Sequence, residues 1–396
     1  MAKKLIAFFL AMMILPTLTA CGKQDNTNDT SSSVPSATST EILPSETVTQ
    51  SVTEPPAERE STILSAILNS ILEKFQYNGI AYIINNNNEI LYNHGFGTAN
   101  TEKNIAITSD TVFCIASNSK QFTATAIMLL QQDGKLSVND TIDKYFPEYQ
   151  YSRQITIHQL LCMRSGIKDY MDYAEEILQD ISQNFQFDQN TTAKEMRQAI
   201  QQWFFKQELD FIPDEQFEYS NSNYMLLAEI VEQVSGMSYE EYIRKNIFEV
   251  LDMKDTTFYD LCDITSDDFA QPMDKTYVDY MQYKGILFGA GDIVSSAKDL
   301  GKWFTAVRNH TIISEDILQT MTTNYSSDTD NLPYGYGYMI DQYGFYHTGE
   351  IFSYVSVGYL STVKDYTVIF LSNKPSADME TLALTVNNEM LSSDNI

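Results

Sequence analysis

Four serines in this chain are followed three residues later by a lysine: Ser117/Lys120, Ser165/Lys168, Ser295/Lys298 and Ser361/Lys364. A serine hydroxyl is a weak nucleophile and needs a nearby base. On a helix, residues i and i+3 share a face, so this spacing sets an amine beside a hydroxyl. Partial burial disfavours the ammonium and frees the amine to accept a proton. At most one of the four pairs is expected to work this way. Gly166 after Ser165 points to a loop, and Ser361 ends an apolar strand ahead of a turn at Lys364-Asp365. Ser296-Ala297-Lys298-Asp299 reads as a capping box, which leaves Ser295 just outside its helix. Ser117 alone follows a strand-like segment and opens a long helix with an apolar face (Phe122, Ala126, Leu129, Leu130). The N-terminus of that helix would aim free N–H groups and a positive dipole end at the site. The other reading of Ser117 is an ordinary helix N-cap.

Two further patterns carry chemistry. Of 25 tyrosines, only Tyr219 begins the pattern Tyr-x-Asn, with Ser220 and Asn221. A tyrosine can relay a proton to a leaving group if cationic neighbours lower its pKa, and Asn221 could orient Lys120 and a substrate amide. The alternative is a loop tyrosine and a cap for the helix from Tyr224. Late in the chain, His347-Thr348-Gly349 offers a cationic or hydrogen-bonding side chain, a hydroxyl and a glycine that permits close approach. Such a tripeptide suits an edge strand that docks a peptide-like substrate.

The elements that must position these residues follow from periodicity. Ile63, Leu64, Ile67, Leu68, Ile71 and Leu72 recur at helical spacing, so folded sequence begins near Ser61. Gly79–Ile84 and Glu89–Tyr92 read as strands joined by the turn 85–88. Thr111–Ile115 leads into a helix over 117–133, closed by Gly134. The stretch 125–285 is mostly helical by pattern, for example over 155–163 and 224–234. Strands return over 336–341, 345–347, 354–361 and 367–372, and a helix over 377–391 closes the chain. Strands at both ends with helices between predict a sheet domain (about 61–124 and 286–394) split by a helical insertion (about 125–285).

Taken together and in this order, Ser117-x-x-Lys120, Tyr219-x-Asn221 and His347-Thr348-Gly349 resemble the three motifs of the class C β-lactamase and DD-peptidase family, which related esterases and D-amino-acid peptidases share. The resemblance runs from about residue 64 to 375. Asp110-Thr111-Val112-Phe113, Gly134-Lys135-Leu136-Ser137 and Tyr334-Gly335-Tyr336-Gly337 support it. It implies an α+β fold, with a central antiparallel sheet flanked by helices and a mostly helical domain beside it. It implies an acyl-enzyme on Ser117, with Lys120 and Tyr219 sharing proton transfers and Asn221 positioning. His347, Thr348 and Gly349 would bind substrate, the first two facing its carboxylate or equivalent. The backbone N–H groups of Ser117 and Glu350 would form the oxyanion hole. No metal and no cofactor is implied.

Three departures from the family pattern stand out. Met163-Arg164-Ser165-Gly166 occupies the place of a common His-Thr-Ser-Gly, a site expected to be structural. Cys114 stands where a basic residue is common before the nucleophile. Glu350 follows the third motif in place of a small residue, and its carboxylate could narrow the cleft or repel anionic substrates. This puts β-lactam hydrolysis in more doubt than general acyl transfer.

Composition bounds the rest. The 396 residues carry a formal net charge of −28, which would repel phosphate backbones and argues against nucleic-acid partners. Lys3 and Lys4, the short apolar run Leu5–Leu15 and Leu18-Thr19-Ala20-Cys21 resemble a bacterial lipoprotein signal over residues 1–21. That resemblance implies cleavage before Cys21, its diacylation, and an extracytoplasmic position on a bacterial cell membrane. Residues 22–60 are rich in Ser, Thr, Pro and Glu and read as a disordered tether ahead of a hydrolase domain over 61–394. Cys114, Cys162 and Cys262 form no C-x-x-C pair, and the four histidines lack H-x-x-x-H spacing, so no metal site and no disulfide framework is expected. A monomer is expected. Two functions fit: a serine hydrolase acting on an ester or amide (a small molecule, a D-amino-acid peptide or a β-lactam-like compound), or a lipid-tethered penicillin-binding or sensing domain that acylates slowly or not at all.

Overall fold

The computed structural model describes residues 56–174, 176–177, 191–274, 283–326, 332–375 and 379–392. Cys21 and all but the end of the segment 22–60 lie outside them. In chain order the strands are β1 (Gly79–Ile84), β2 (Ile90–Phe96), β3 (Thr98–Asn100), β4 (Ile105–Ala106), β5 (Val112–Cys114), β6 (Thr257–Phe258), β7 (Ile293–Ser296), β8 (Met339–Ile340), β9 (Gly344–Ile351), β10 (Tyr354–Ser361) and β11 (Thr367–Ser372). The α-helices are α1 (Pro56–Lys74), α2 (Ser119–Gln132), α3 (Ile157–Leu161), α4 (Ala193–Phe204), α5 (Asn221–Ser235), α6 (Tyr239–Ile243), α7 (Ala297–Arg308), α8 (Glu315–Met321) and α9 (Met379–Ser392).

Every residue of β1, β10 and β11 is buried, as happens when both faces of a sheet are covered. These strands are the middle of a six-stranded antiparallel sheet with the order β2-β1-β11-β10-β9-β8. Alternation sends Ala81, Ile83, Val357, Val368 and Phe370 to one face, against Leu68 and Leu72 of α1 and Leu382, Val386 and Met390 of α9. Ile80, Tyr82, Ile84, Ile369 and Leu371 face the other way, into a core with Trp303 and Phe304 of α7 and Phe122 of α2. The rings of Phe122 and Trp303 stack at 4.2 Å. Each such side chain contributes about 1.5–3 kcal/mol by leaving water. The architecture is α+β.

The helix expected over 117–133 is divided: a 3-10 turn at Ala116–Asn118 precedes α2. Along α2, Ser119, Lys120, Gln121, Thr123 and Thr125 are as buried as Phe122 and Ile127, so the helix runs through the interior rather than along its surface. The strand expected over 336–341 shrinks to β8 because Gly337 adopts φ +76°. A Cβ there would stand 2.8 Å from the Lys120 carbonyl, so the break lets this segment lie against α2. A smaller sheet, β5-β7-β6, matters for the site. It fuses the strand before Ser117 to one that follows a tight loop at 286–292.

Candidate active site

β5 delivers the chain to Ser117 through a constrained turn. The Ile115 N–H donates to the Ile293 carbonyl at 3.1 Å, and the next residue, Ala116, takes φ +46°. That left-handed value is uncommon for a residue with a Cβ and costs free energy that the surroundings must offset. It throws Ser117 to the start of the helical segment, half-buried, where the first N–H groups have no internal acceptor. Ser117 is not the α-helix N-cap; that position is Asn118.

Lys120, one turn on, is fully buried. Its Nζ lies 2.9 Å from Ser117 Oγ, 2.8 Å from Asn221 Oδ1 and 2.7 Å from the Ala290 carbonyl. Burial disfavours the ammonium and brings its pKa down to about 7, against the pull of Asp169 and Asp292. The loop carrying Ala290 is held by Thr123 Oγ1, which donates to the Gly289 carbonyl at 2.6 Å, and by Asp292 Oδ2, which accepts from Gly289 N–H at 3.0 Å.

Tyr219 stands beside Ser117, which favours its ionised form, and its ring centroid is 4.9 Å from Lys120 Nζ. The condition that cationic neighbours lower its pKa is not met: burial dominates and raises it, so Tyr219 is a neutral phenol, a donor. Asn221 is the first residue of α5, after Ser220 as N-cap. It does not cap the helix with its side chain; it links Lys120 to Asp169, whose Oδ2 accepts from Asn221 Nδ2 at 2.9 Å.

His347, Thr348 and Gly349 lie on β9. His347 is also corrected. It is 1% exposed and does not present a cation to the cleft. Its Nδ1 faces the Thr348 carbonyl, which can only accept, so Nδ1 carries the proton and Nε2 takes the Tyr334 hydroxyl at 3.1 Å. Burial, then Lys120, pushes its pKa down to about 3. Thr348 is half-buried, with Oγ1 3.9 Å from Met339 Sδ. Gly349 is fixed by close approach: a Cβ would stand 2.4 Å from the Ile115 carbonyl and 2.6 Å from Ser356 Oγ. β9 thus packs directly on the turn that carries Ser117. Ile351 and Tyr354 close a two-residue hairpin. By the alternation of such a ladder, Glu350, one residue back, directs its N–H away from β10. Its side chain is exposed.

The other three Ser-x-x-Lys serines are occupied elsewhere. Ser165 Oγ donates to Asn223 Oδ1, Ser295 Oγ bonds Thr256 Oγ1, and Ser361 Oγ accepts from Lys364 N–H. In the Met163-Arg164-Ser165-Gly166 stretch, Met163 Sδ accepts from Ser220 N–H and Asn223 Nδ2 at 3.5 and 3.4 Å, a structural role. Cys114 is buried, and burial pushes its thiol up. Sequence reasoning assigned no role to Asp169, Ala290, Asp292 or Tyr334. Ala290 acts through its backbone, and Asp169 carries only the local signal of a turn cap, accepting from Met171 N–H.

A family model described as Beta-lactamase matches residues 64–388. Penicillin-binding protein 4* of Bacillus subtilis (strain 168) is 28% identical over 334 residues, 78% of this chain and 71% of its own length. Protein flp of Staphylococcus aureus (strain MW2) is 28% identical over 354 residues, 83% of this chain and 66% of its own length. The chain therefore spans about two thirds of the length of these relatives. The solved D-amino acid amidase from Ochrobactrum anthropi SV3, complexed with L-phenylalanine amide, matches with a TM-score of 0.69 at 22% identity, over 84% of this chain and 100% of that one, a likeness of fold.

Proposed function

This chain belongs to the beta-lactamase family, and on that premise we propose that it is a serine hydrolase that cleaves an ester or amide through an acyl-enzyme on Ser117. The surroundings of Lys120 Nζ carry the reading. A neutral amine has two N–H donors and one lone pair. Asn221 Oδ1 and the Ala290 carbonyl take the two donors, which leaves the lone pair for the Ser117 proton. With a pKa brought to about 7, that amine is available near neutrality.

In the first step Ser117 Oγ bonds to the substrate carbonyl carbon while its proton passes to Lys120. The carbonyl electron pair moves onto oxygen, facing the N–H groups of Ser117 and Glu350. The tetrahedral adduct then expels its leaving group, which takes a proton from Tyr219; Lys120 returns one to Tyr219. Water attacks the acyl carbon in the second step, gives its proton back through the same pair, and releases Ser117. Tyr219 suits the donor role because burial keeps it protonated.

The substrate class proposed is a D-amino-acid peptide or a β-lactam-like amide, supported by the penicillin-binding name of a relative and the D-amino acid amidase likeness in fold. A lipid anchor at Cys21 and an extracytoplasmic position at a bacterial membrane are part of the same proposal, on the sequence features of residues 1–21. The test is intact mass of the chain mixed with benzylpenicillin and sampled over time, alongside turnover of a p-nitrophenyl ester, with Ser117→Ala as control. An adduct and turnover confined to wild type are expected. A persistent adduct without ester turnover would replace the enzyme with a penicillin-binding or sensing domain; no adduct and no turnover would overturn both.

A further inference from the structure

Asp169 lies outside the three motifs, yet a short chain of hydrogen bonds joins it to the nucleophile. Its Oδ2 accepts from Asn221 Nδ2 at 2.9 Å, Asn221 Oδ1 accepts from Lys120 Nζ at 2.8 Å, and Nζ stands 2.9 Å from Ser117 Oγ. Its other oxygen accepts from Met171 N–H at 3.0 Å, which seats the carboxylate at the start of the turn Tyr170–Tyr173. The turn is anchored in its own right: Tyr170 N–H donates to Ser222 Oγ at 3.1 Å, and the Tyr170 hydroxyl donates to the Ile286 carbonyl.

We propose that Asp169 is a positioning residue for acyl transfer: by accepting from Asn221 it locks that amide with its oxygen toward Lys120, and so keeps the lysine lone pair on Ser117. This rests on the hydrolase reading above. The two ends of an amide have nearly the same shape and opposite hydrogen-bonding character. A carboxylate only accepts, so the Nδ2 end must face Asp169. Turned round, Nδ2 would donate toward Lys120 Nζ, and the acceptor it would find there is the lone pair. The amine would then have nothing left with which to take the Ser117 proton.

Charge acts in the same direction as geometry. Burial brings Lys120 down to about 7 while Asp169, then Asp292, pull it up. Burial pushes Asp169 up to about 6, against its bond from Met171 and its attraction to Lys120. Among the described residues, the other groups that face Nζ are Tyr219 ahead of α5 and Tyr224 on it, with ring centroids at 4.9 and 5.6 Å, and His347 on β9, which burial holds neutral. Asp169 is thus the foremost of the charges that hold a proton on Lys120, and neutralising it makes the lysine still less basic.

Asp169→Asn keeps the size of the side chain and an oxygen for Met171 N–H. The full-length protein, labelled with 13C at its lysine ε-carbons, is titrated by NMR, and Lys120 is assigned by the signal lost in Lys120→Met. Wild-type Lys120 is expected to titrate near 7, and in Asp169→Asn lower by about one pH unit or more. Asp169→Glu should return it toward wild type. On p-nitrophenyl acetate, the plateau kcat of Asp169→Asn is expected to fall roughly ten- to a hundredfold with KM within about threefold, and the acid limb to move with the lysine. A folded Asp169→Asn with wild-type titration and wild-type kcat overturns the proposal. So does a variant that loses activity and thermal stability together while Lys120 titrates as before, since that is a structural role. If Asp169→Asn does not fold, Asp169→Ser, which also keeps a cap for Met171, carries the same comparisons. If wild type turns over no ester, the hydrolase reading falls, and the lysine titration still decides whether Asp169 governs Lys120.

Discussion

The Ser356 hydroxyl donates to the Ile115 carbonyl at 2.6 Å, joining β10 to the residue two places before the nucleophile. The same oxygen accepts from Asn118 Nδ2 at 2.8 Å. Gln121 Nε2 donates to Asn118 Oδ1 at 2.9 Å, and Trp303 Nε1 donates to Gln121 Oε1 at 2.9 Å. A continuous line of buried bonds thus crosses from α7 through α2 to the sheet, and the nucleophile turn hangs on its end. Such a line is worth more as a fixed arrangement than as a sum of its bonds.

Ser356→Ala leaves Asn118 Nδ2 and the Ile115 carbonyl each short of a partner. The expected cost is about 1–3 kcal/mol of stability, read from urea unfolding. The kinetic signature should be a lower kcat with little change in KM, because the turn that aims Ser117 is loosened while the substrate edge is untouched. A loss of stability with full kcat would show that the turn holds itself.

Gly349→Ala places a methyl 2.4 Å from a backbone carbonyl that cannot move without Ser117. The variant is expected to fold with a lowered melting temperature and to lose most acylation by an activated ester, measured by the mass of the acyl-enzyme. Wild-type acylation in this variant would mean that β9 and the turn are not rigidly coupled.

The pH profile should show one working base. The kcat/KM of an uncharged ester is expected to rise with pH through about 7 as Lys120 loses its proton. His347 should add no limb of its own, because it is held near 3 and stays neutral across the range. Lys120→Met should lower kcat by on the order of a hundred- to ten-thousandfold. An acid limb that survives Lys120→Met and vanishes in His347→Gln would reverse the assignment.

Asp292 links stability to pH. Burial raises its pKa from 3.8 to about 8, so the folded chain keeps a proton that the unfolded chain gives up near 3.8. Its stabilising contribution is therefore present at low pH and is lost as pH rises toward and through about 8. Asp292→Asn retains an oxygen for Gly289 N–H and removes this dependence. The melting temperature of the variant relative to wild type is expected to climb between about pH 5 and 8. Parallel curves would show that Asp292 is not the group responsible.

Much of the site is legible in the sequence, because its parts are side chains at fixed spacings. Ser117 separates from three look-alikes by what surrounds it, a strand before and an apolar helix after. The mostly apolar runs of β1, β10 and β11 are equally plain. What stays hidden depends on burial or on distant backbone. The neutrality of His347 is set by the weight of protein over it and then by Lys120. The third point of contact for Lys120 is a carbonyl, which any residue has. Asp169 meets Asn221 only because the Tyr170–Tyr173 turn is docked on Ser222 and Ile286. β9 runs on through His347-Thr348-Gly349-Glu350, a stretch of low strand preference, because β10 supplies the pairing.

The ladder of β5 with β7 joins stretches of chain made far apart in time. As the polypeptide is synthesised, Ser117 and Lys120 emerge well before Ala290 and Gly291, and β9 comes later still. Until then Lys120 has neither the burial nor the acceptors that make it a base, and Ser117 is an ordinary alcohol. Contacts of such long sequence separation also form late in folding. A growing or nicked chain that lacks β9 to β11 should accordingly be silent toward acylating reagents, so that labelling of Ser117 reports on completion of the last strands rather than on the presence of the serine.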